Sequence, residues 1–450
     1  MTATPDPRRA RAIDILTRLV SFDTESSKSN LALIDDVEAL LRAEGVSFTR
    51  APAAGDKAAL FATIGPMTEG GVVLSGHTDV VPVAGQAWTS DPFTLREADG
   101  RLYGRGACDM KGFAALALAM IPEFKAAALK RPIHILLSYD EETTCLGPVD
   151  LIERFGRDLP RPGACIVGEP TLMHVADAHK SISTYETVVR GFEAHSSKPA
   201  LGANAIAAAA DLVAEISRMQ ARYEAKAETN SRFDPPYSTV HVGILRGGTA
   251  RNILAKEARF WWEFRGLPGT RPDEAFVAFD DYARRVALPA LARFTPEVAI
   301  ETTCEVEVPG LAPEPGSRAE ALALKLTRSN RTVAVSYATE AGRFQQGGVP
   351  TVVCGPGSID QAHQPDEFLA VEQIDKGCAS CAGRSARWGE AFAPQSRAVR
   401  AAKSWRRARG LARRRAGRYQ PAPLRRRRHE GGDMNRQSSL PIRAAASRKT

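Results

Sequence analysis

Short apolar runs far apart in the chain are each followed by an imidazole or a carboxylate, and this recurrence limits the fold more than any bulk property does. Val72-Val73-Leu74 precedes His77-Thr78-Asp79, and Ile133 to Leu137 precedes the adjacent pair Glu141-Glu142. Cys165-Ile166-Val167 precedes Glu169, Thr351-Val352-Val353-Cys354 lies upstream of His363, and Asp109 stands before the Ala/Leu-rich stretch Met110–Met120. Apolar runs of this length read as buried strands, and the stretch after Asp109 reads as a helix. In an open α/β sheet, side chains from distant positions converge outside the carboxyl ends of the strands. The chain is therefore expected to be an α/β protein with a mixed sheet whose strand ends share one crevice.

Two imidazoles with several carboxylates form a hard-to-borderline donor set that suits zinc, cobalt or manganese better than copper or an iron–sulfur cluster. A single catalytic zinc takes three protein ligands and keeps one position open, whereas this set holds enough donors for two ions sharing a carboxylate. Asp109 is the candidate bridge, favoured by the dipole of the helix that follows it. Asp79, two residues from His77, is placed to orient that ring by hydrogen bonding. Taken singly, a His-x-Asp in a loop or an adjacent Glu pair is ordinary surface. Donors at four separate strand ends are a different matter.

The stretches that carry these residues resemble a known family. Ser75-Gly-His-Thr-Asp-Val-Val-Pro82, Leu102-Tyr-Gly-Arg-Gly-Ala-Cys-Asp-Met-Lys-Gly112, Ser138-Tyr-Asp-Glu-Glu142, Gly168-Glu-Pro-Thr171 and Cys354-Gly-Pro-Gly-Ser-Ile-Asp-Gln-Ala-His363 are similar to motifs of the acetylornithine deacetylase, succinyl-diaminopimelate desuccinylase, aminoacylase and carboxypeptidase family of dinuclear-metal amidohydrolases. The resemblance covers residues 8 to 378, with departures at Thr143-Thr144 and at Ser181. It implies one ion on His77, Asp109 and Glu169, a second on Asp109, Glu142 and His363, and Glu141 as the general base. Zinc is the first expectation for both ions and cobalt the second. The resemblance also implies that His195 reaches a neighbouring subunit's site to stabilise an oxyanion, and it suggests Asn252 and Arg265 as substrate contacts. Glu340, in Tyr337-Ala-Thr-Glu-Ala-Gly342, is either an acidic partner for a cationic substrate amine or a helix cap.

From Lys180 onward the pattern changes. Strand Thr184–Arg190, helix Asn204–Ala225, strands Ser238–Leu245 and Glu257–Arg265, helix Pro272–Val286 and strand Glu297–Val308 follow in the β-α-β-β-α-β order of a ferredoxin-like domain. Ile206, Leu212, Ile216 and Met219 form one apolar stripe of the first helix. The expected organisation is a metal-binding domain over 1–179 and 309–378, with a dimerisation domain over 180–308 inserted into it. Pro309-Gly310 and Ala312-Pro-Glu-Pro-Gly316 mark the return, and Arg318–Thr327 reads as a helix. Seven irregularly spaced cysteines suit reduced thiols, and no apolar run approaches the ~18 to 20 residues of a membrane span. The start of the chain has no apolar core of a signal peptide, so a cytoplasmic protein is expected.

The net charge of +8 conceals a division, because residues 1–378 carry −9 and residues 379–450 carry +17. Eighteen of the last 72 residues are Arg and no hydrophobic period survives there, so disorder is expected. The abrupt change after Val371–Ala379 suits a shifted reading frame in a GC-rich gene or a similar C-terminal alteration. A basic tail also binds nucleic acid non-specifically through phosphate. As a function, the resemblance implies hydrolysis of N2-acetylornithine to ornithine and acetate by a homodimer. A desuccinylase or broader N-acyl-amino-acid hydrolase is the alternative, and a nucleic-acid-binding protein is the alternative from another class.

Overall fold

The computed structural model describes residues 6–52, 55–293 and 295–382, and the Arg-rich tail lies outside the described residues. Eight strands form one mixed sheet in the order Ser47–Pro52, Ala58–Ile64, Ile133–Ser138, Val72–His77, Ala164–Pro170, Thr351–Gly355, Ala176–His179 and Val333–Val335. The four in the middle are parallel neighbours, and they are the four whose ends were expected to carry donors. Their carboxyl ends therefore share one edge. The outer pairings on the Ala58–Ile64 side are antiparallel, so the sheet is mixed as expected.

Period-2 alternation within these strands divides their side chains between two cores. Leu60, Val72, Leu74, Ile133, Ile135 and Ile166 belong to one cluster, while Phe61, Val73, Leu136, Cys165 and Val167 belong to another. A sheet buried on both faces explains why its strands read as continuous apolar runs rather than as alternation. Helix Lys111–Ala119 is buried along its whole length, which suits its nearly unbroken apolar sequence. Helix Pro7–Val20 is one-sided, burying Ala12, Ile15, Leu16, Leu19 and Val20. Asp6 caps it by accepting from the Arg8 N–H, and Pro7 enters its first turn, where a missing donor costs nothing.

Residues from Ile182 to Val308 build a separate antiparallel sheet in the order Thr239–Gly247, Glu257–Arg265, Ile182–Arg190 and Ala299–Val308. Helix Ala205–Glu224 and the helical stretch that begins at Glu274–Tyr282 complete the β-α-β-β-α-β order of a ferredoxin-like fold. Its core is its own and centres on Tyr185, Phe260, Trp262, Leu212, Ile216 and Phe279. Two details differ from the sequence expectation. Ile206 lies outside the apolar stripe and is 42% exposed; the buried face runs Ala205, Ala209, Leu212, Ile216, Met219. The second helix also changes winding, becoming a wide π-turn over Ala283–Ala287 before a short segment Leu288–Leu291. Pro289 in that segment has no N–H to continue the regular ladder.

Close packing behind the strand ends leaves little room for change. A Cβ on Gly168, next to Glu169, would lie 2.0 Å from the Phe113 ring. Gly168→Ala is expected to cost about 1–3 kcal/mol through overpacking, read as a lower melting temperature. An unchanged melting temperature would mean that Phe113 has room to move.

Candidate metal centre

His77 is the last residue of its strand and is fully buried. Its Nδ1 lies 2.9 Å from the backbone oxygen of Asp79, so this nitrogen carries the proton and Nε2 points into the crevice. Nε2 stands 3.1 Å from Asp109 Oδ1, 3.7 Å from Glu169 Oε1 and 4.0 Å from Glu141 Oε2. Across the crevice His363 Nε2 lies 3.0 Å from Glu142 Oε2 and 3.4 Å from Asp109 Oδ2. The two oxygens of Asp109 are thus divided between two imidazoles. One donor atom each from His77, Glu141 and Glu169 lies within 4.8 Å of the others, and the same holds for His77, Asp109 and Glu142.

The chemistry of this cluster fits cations. Four carboxylates meet two histidines, and among the described residues none of the four is paired with a lysine or arginine. Glu169 Oε1 is buried without a hydrogen-bond partner. Such a group is costly unless something positive approaches it. Burial and the neighbouring carboxylates push Glu169 and Glu141 well above the ordinary range and Glu142 to about 7. Hydrogen bonds to Asp109 and Glu142 raise His363 to about 10. Burial opposes the charged form of His77, yet Asp109 and the surrounding acids still raise it well above its usual value. Asp109 moves the other way, because the two histidines outweigh its burial. The cluster holds protons where divalent ions would balance the same charge.

Asp79 acts one step further back than a direct carboxylate-to-imidazole bond. Its backbone oxygen orients His77, while its carboxylate accepts from the Glu141 N–H at 3.2 Å, the Glu142 N–H at 3.3 Å and the Ser26 hydroxyl at 2.7 Å. Glu340 stands at the N-cap position of helix Ala341–Gln346, one of its two expected places, without capping through its side chain. It is completely buried, and its oxygens accept from Ser75 and Ser138 at 2.6 and 2.7 Å. Two neighbours were not read from the sequence: the Cys145 thiol lies 3.3 Å from Glu141 Oε1, and the Tyr337 hydroxyl donates to the Pro170 oxygen at 3.0 Å. Nothing in their local pattern distinguishes them from core residues.

His195 and Asn252 come together in the ferredoxin-like sheet's loops, where His195 bridges Ile253 and Ser196 N–H donates to the Asn252 oxygen at 3.0 Å. Both are exposed. Arg265 donates to Glu263 at 2.9 Å at the end of its strand. Among the described contacts none of the three touches the His77–His363 cluster.

Comparison with known proteins places the chain in a family. The family model for peptidase family M20/M25/M40 matches residues 73–383. The chain belongs to this family. Within the M20 family's range of relatives, acetylornithine deacetylase of Proteus mirabilis (strain HI4320) is 35% identical over 356 residues, 78% of this chain and 89% of that protein. Acetylornithine deacetylase of Myxococcus xanthus is 35% identical over 370 residues, 80% of this chain and 92% of that protein. Among solved structures, a tripeptidase from Staphylococcus aureus has a TM-score of 0.66 at 17% identity, covering 84% of this chain and 99% of that one. A dinuclear metal-binding peptidase of the M20 family from Bacillus subtilis has a TM-score of 0.59 at 17% identity, covering 86% and 99%. At these identities the structural likeness bears on the fold alone. Among the described residues no helix is long and apolar enough to cross a membrane.

The repulsion in the cluster generates a stability test. In chelator-treated protein Glu169→Gln is expected to melt no lower than the parent, because it replaces a buried carboxyl that its burial and acidic neighbours already keep from ionising. With zinc in excess the parent is expected to gain more, about 2.7 kcal/mol at a hundredfold excess over Kd. A variant that gains as much as the parent would remove Glu169 from the ligands.

Proposed function

We propose that this chain is a two-metal deacetylase that converts N2-acetylornithine and water to ornithine and acetate, a step of arginine biosynthesis carried out in the cytoplasm. The observation that carries the reading is Asp109 between His77 and His363, in a chain 35% identical over most of its length to two acetylornithine deacetylases. We assign one ion to His77, Asp109 and Glu169 and the other to Asp109, Glu142 and His363, with zinc ahead of cobalt on donor chemistry. When bound, such ions supply Lewis acidity to the amide carbonyl and raise the acidity of water.

The side chains do the rest. Glu141 takes a proton from the attacking water as its oxygen bonds to the acetyl carbon, then passes that proton to the departing amine as the C–N bond breaks. Asp79 holds the Glu141 and Glu142 backbone N–H groups, so the base and its neighbouring ligand are presented as a unit. Glu340, tying Ser75 to Ser138 beneath them, steadies the strand ends rather than meeting substrate.

We read residues 180–308 as a dimerisation domain inserted between the metal-binding parts 1–179 and 309–378. His195 suits an oxyanion donor. Its Nδ1 accepts from the Ser197 N–H and lies 2.8 Å from the Ser197 hydroxyl, which leaves the proton of the neutral ring on Nε2. Among the described contacts His195 makes none with the chain's own cluster, which suits a histidine that serves the site of a second subunit. Asn252, on the same loop pair, and Arg265 are the proposed substrate contacts.

Glu141→Gln is expected to keep its metal and lose about 10²–10⁴-fold in acetate release from N2-acetylornithine. Near-parental turnover would exclude Glu141 as the base. Faster release of succinate from N-succinyl-diaminopimelate in the same assay would move the substrate assignment to the desuccinylases. Mixed dimers of Glu141→Ala and His195→Ala subunits are expected to recover activity through one complete site, and verified heterodimers without activity would exclude the shared histidine.

A further inference from the structure

His77 and His363 are held in opposite ways. His77 ends a central strand that is paired on both sides, and it is itself in register with Ser138 of one neighbour. His363 follows a short turn beyond its strand, its side chain is 50% exposed, and its backbone lies at φ 62° in the left-handed region. A non-glycine residue there stays put only if its surroundings impose that geometry.

The loop that carries His363 is pinned on the far side by Glu367, which is as fully buried as its partner Arg105. Glu367 Oε1 accepts from the Cys108 and Asp109 N–H groups at 2.8 and 3.0 Å, and Oε2 accepts from the Gly106 N–H at 3.1 Å and from Arg105 at 2.7 Å. One carboxylate thereby ties the His363 loop to the loop of the shared ligand Asp109. Residue 363 itself has a single further anchor in the described contacts of its backbone: Gln86 Nε2 donates to the His363 oxygen at 2.9 Å. Gln86 is held in turn through Oε1, which accepts from Arg105 at 2.5 Å and from the Trp88 indole at 3.0 Å. Arg105 also lies 5.0 Å over the Trp88 ring. Thr89 adds two bonds to Asp366 on the same loop.

Resting on the two-metal reading, we infer that Gln86 is a positioning residue that sets the affinity for the ion on Asp109, Glu142 and His363, through its bond to the His363 backbone, and leaves the ion on His77, Asp109 and Glu169 unaffected. The selectivity follows from the geometry. Gln86 makes no described contact with His77 or Glu169, and it reaches the shared ligand Asp109 only at two removes, through Arg105 and then Glu367, whose carboxylate holds the Asp109 N–H directly. A ligand on an exposed, left-handed loop loses its place when its carbonyl is released, whereas one at a strand end does not.

The test is a cobalt titration of the metal-free full-length protein, followed by visible absorption and by metal analysis after gel filtration. The parent is expected to take two ions. Gln86→Ala is expected to bind the first as the parent does and the second about 10–100-fold more weakly, in the range of losses for groups that orient a ligand. Because the first ion is an internal measure of folding, a general loss of structure would lower both affinities, and that result overturns the proposal. So does a second affinity within twofold of the parent. Gln86→Glu keeps an acceptor for Arg105 and Trp88 but loses the donor to His363, and is expected to behave like Gln86→Ala. A second site restored by Gln86→Glu would assign the effect to Arg105 instead. A parent that takes up fewer than two ions would bring down the two-metal reading itself, and the inference with it.

Discussion

The site depends on keeping like charges together in a place where they would not stay unaided. Two carboxylates about 4 Å apart repel by about 4 kcal/mol at an effective dielectric near 20, and this crevice brings four of them around two imidazoles. Asp109 resolves part of the conflict by facing a histidine with each oxygen, which is why it alone of the four is held below its ordinary value. The other three are held above theirs by burial and by one another. A protein that builds such a set and leaves Glu169 Oε1 without a hydrogen-bond partner has a site completed by positive charge.

The parallel register turns that chemistry into geometry. His77 pairs with Ser138 across neighbouring parallel strands, so the chain leaving Ser138 has three residues in which to bring Glu141 back over His77. It does so with a left-handed Asp140, paired with Lys57, and with the Asp79 carboxylate gathering the next two N–H groups. Beneath the same strands Glu340 joins Ser75, two residues before the end of its strand, to Ser138, the last residue of its own. The Glu141-Glu142 pair is thus held at its backbone by the Asp79 carboxylate, while Glu340 fastens together the strands on which His77 and the pair depend.

Much of this was legible in the chain itself, because the parallel strands are buried on both faces and so announce themselves as apolar runs, and because ligands must follow such runs. The ferredoxin-like order was legible for the same reason of period, although most of its edges moved by a residue or two, the end of its second helix moved further, and Ile206 turned outward. What could not be read was the direction of individual polar groups. Asp79 has both a carbonyl and a carboxylate near His77, and the spacing does not say that the carbonyl takes the ring while the carboxylate takes the Glu pair. Glu340 sits among residues that suit a substrate loop, and only the packing of helix Ala341–Gln346 under the sheet reveals that it faces two serines. Gln86 and Glu367 lie in stretches without any period, and their meaning is set by the chain folding back through Phe368–Ala370 onto Arg101–Tyr103.

Backbone strain marks the same region independently. Eight non-glycine residues among those described have positive φ, and six of them, Asp140, Cys145, Leu172, Met173, His363 and Asp366, lie in the loops that follow Glu141-Glu142, Glu169 and His363 or lead into them. Each such conformation costs on the order of 1 kcal/mol, so it persists only where stronger interactions require it. A sheet buried on both faces supplies a rigid base from which three loops can be bent into unfavourable shapes without slipping. Ordinary connections between these strands would use relaxed turns, and the chain departs from them where the donors must face one another.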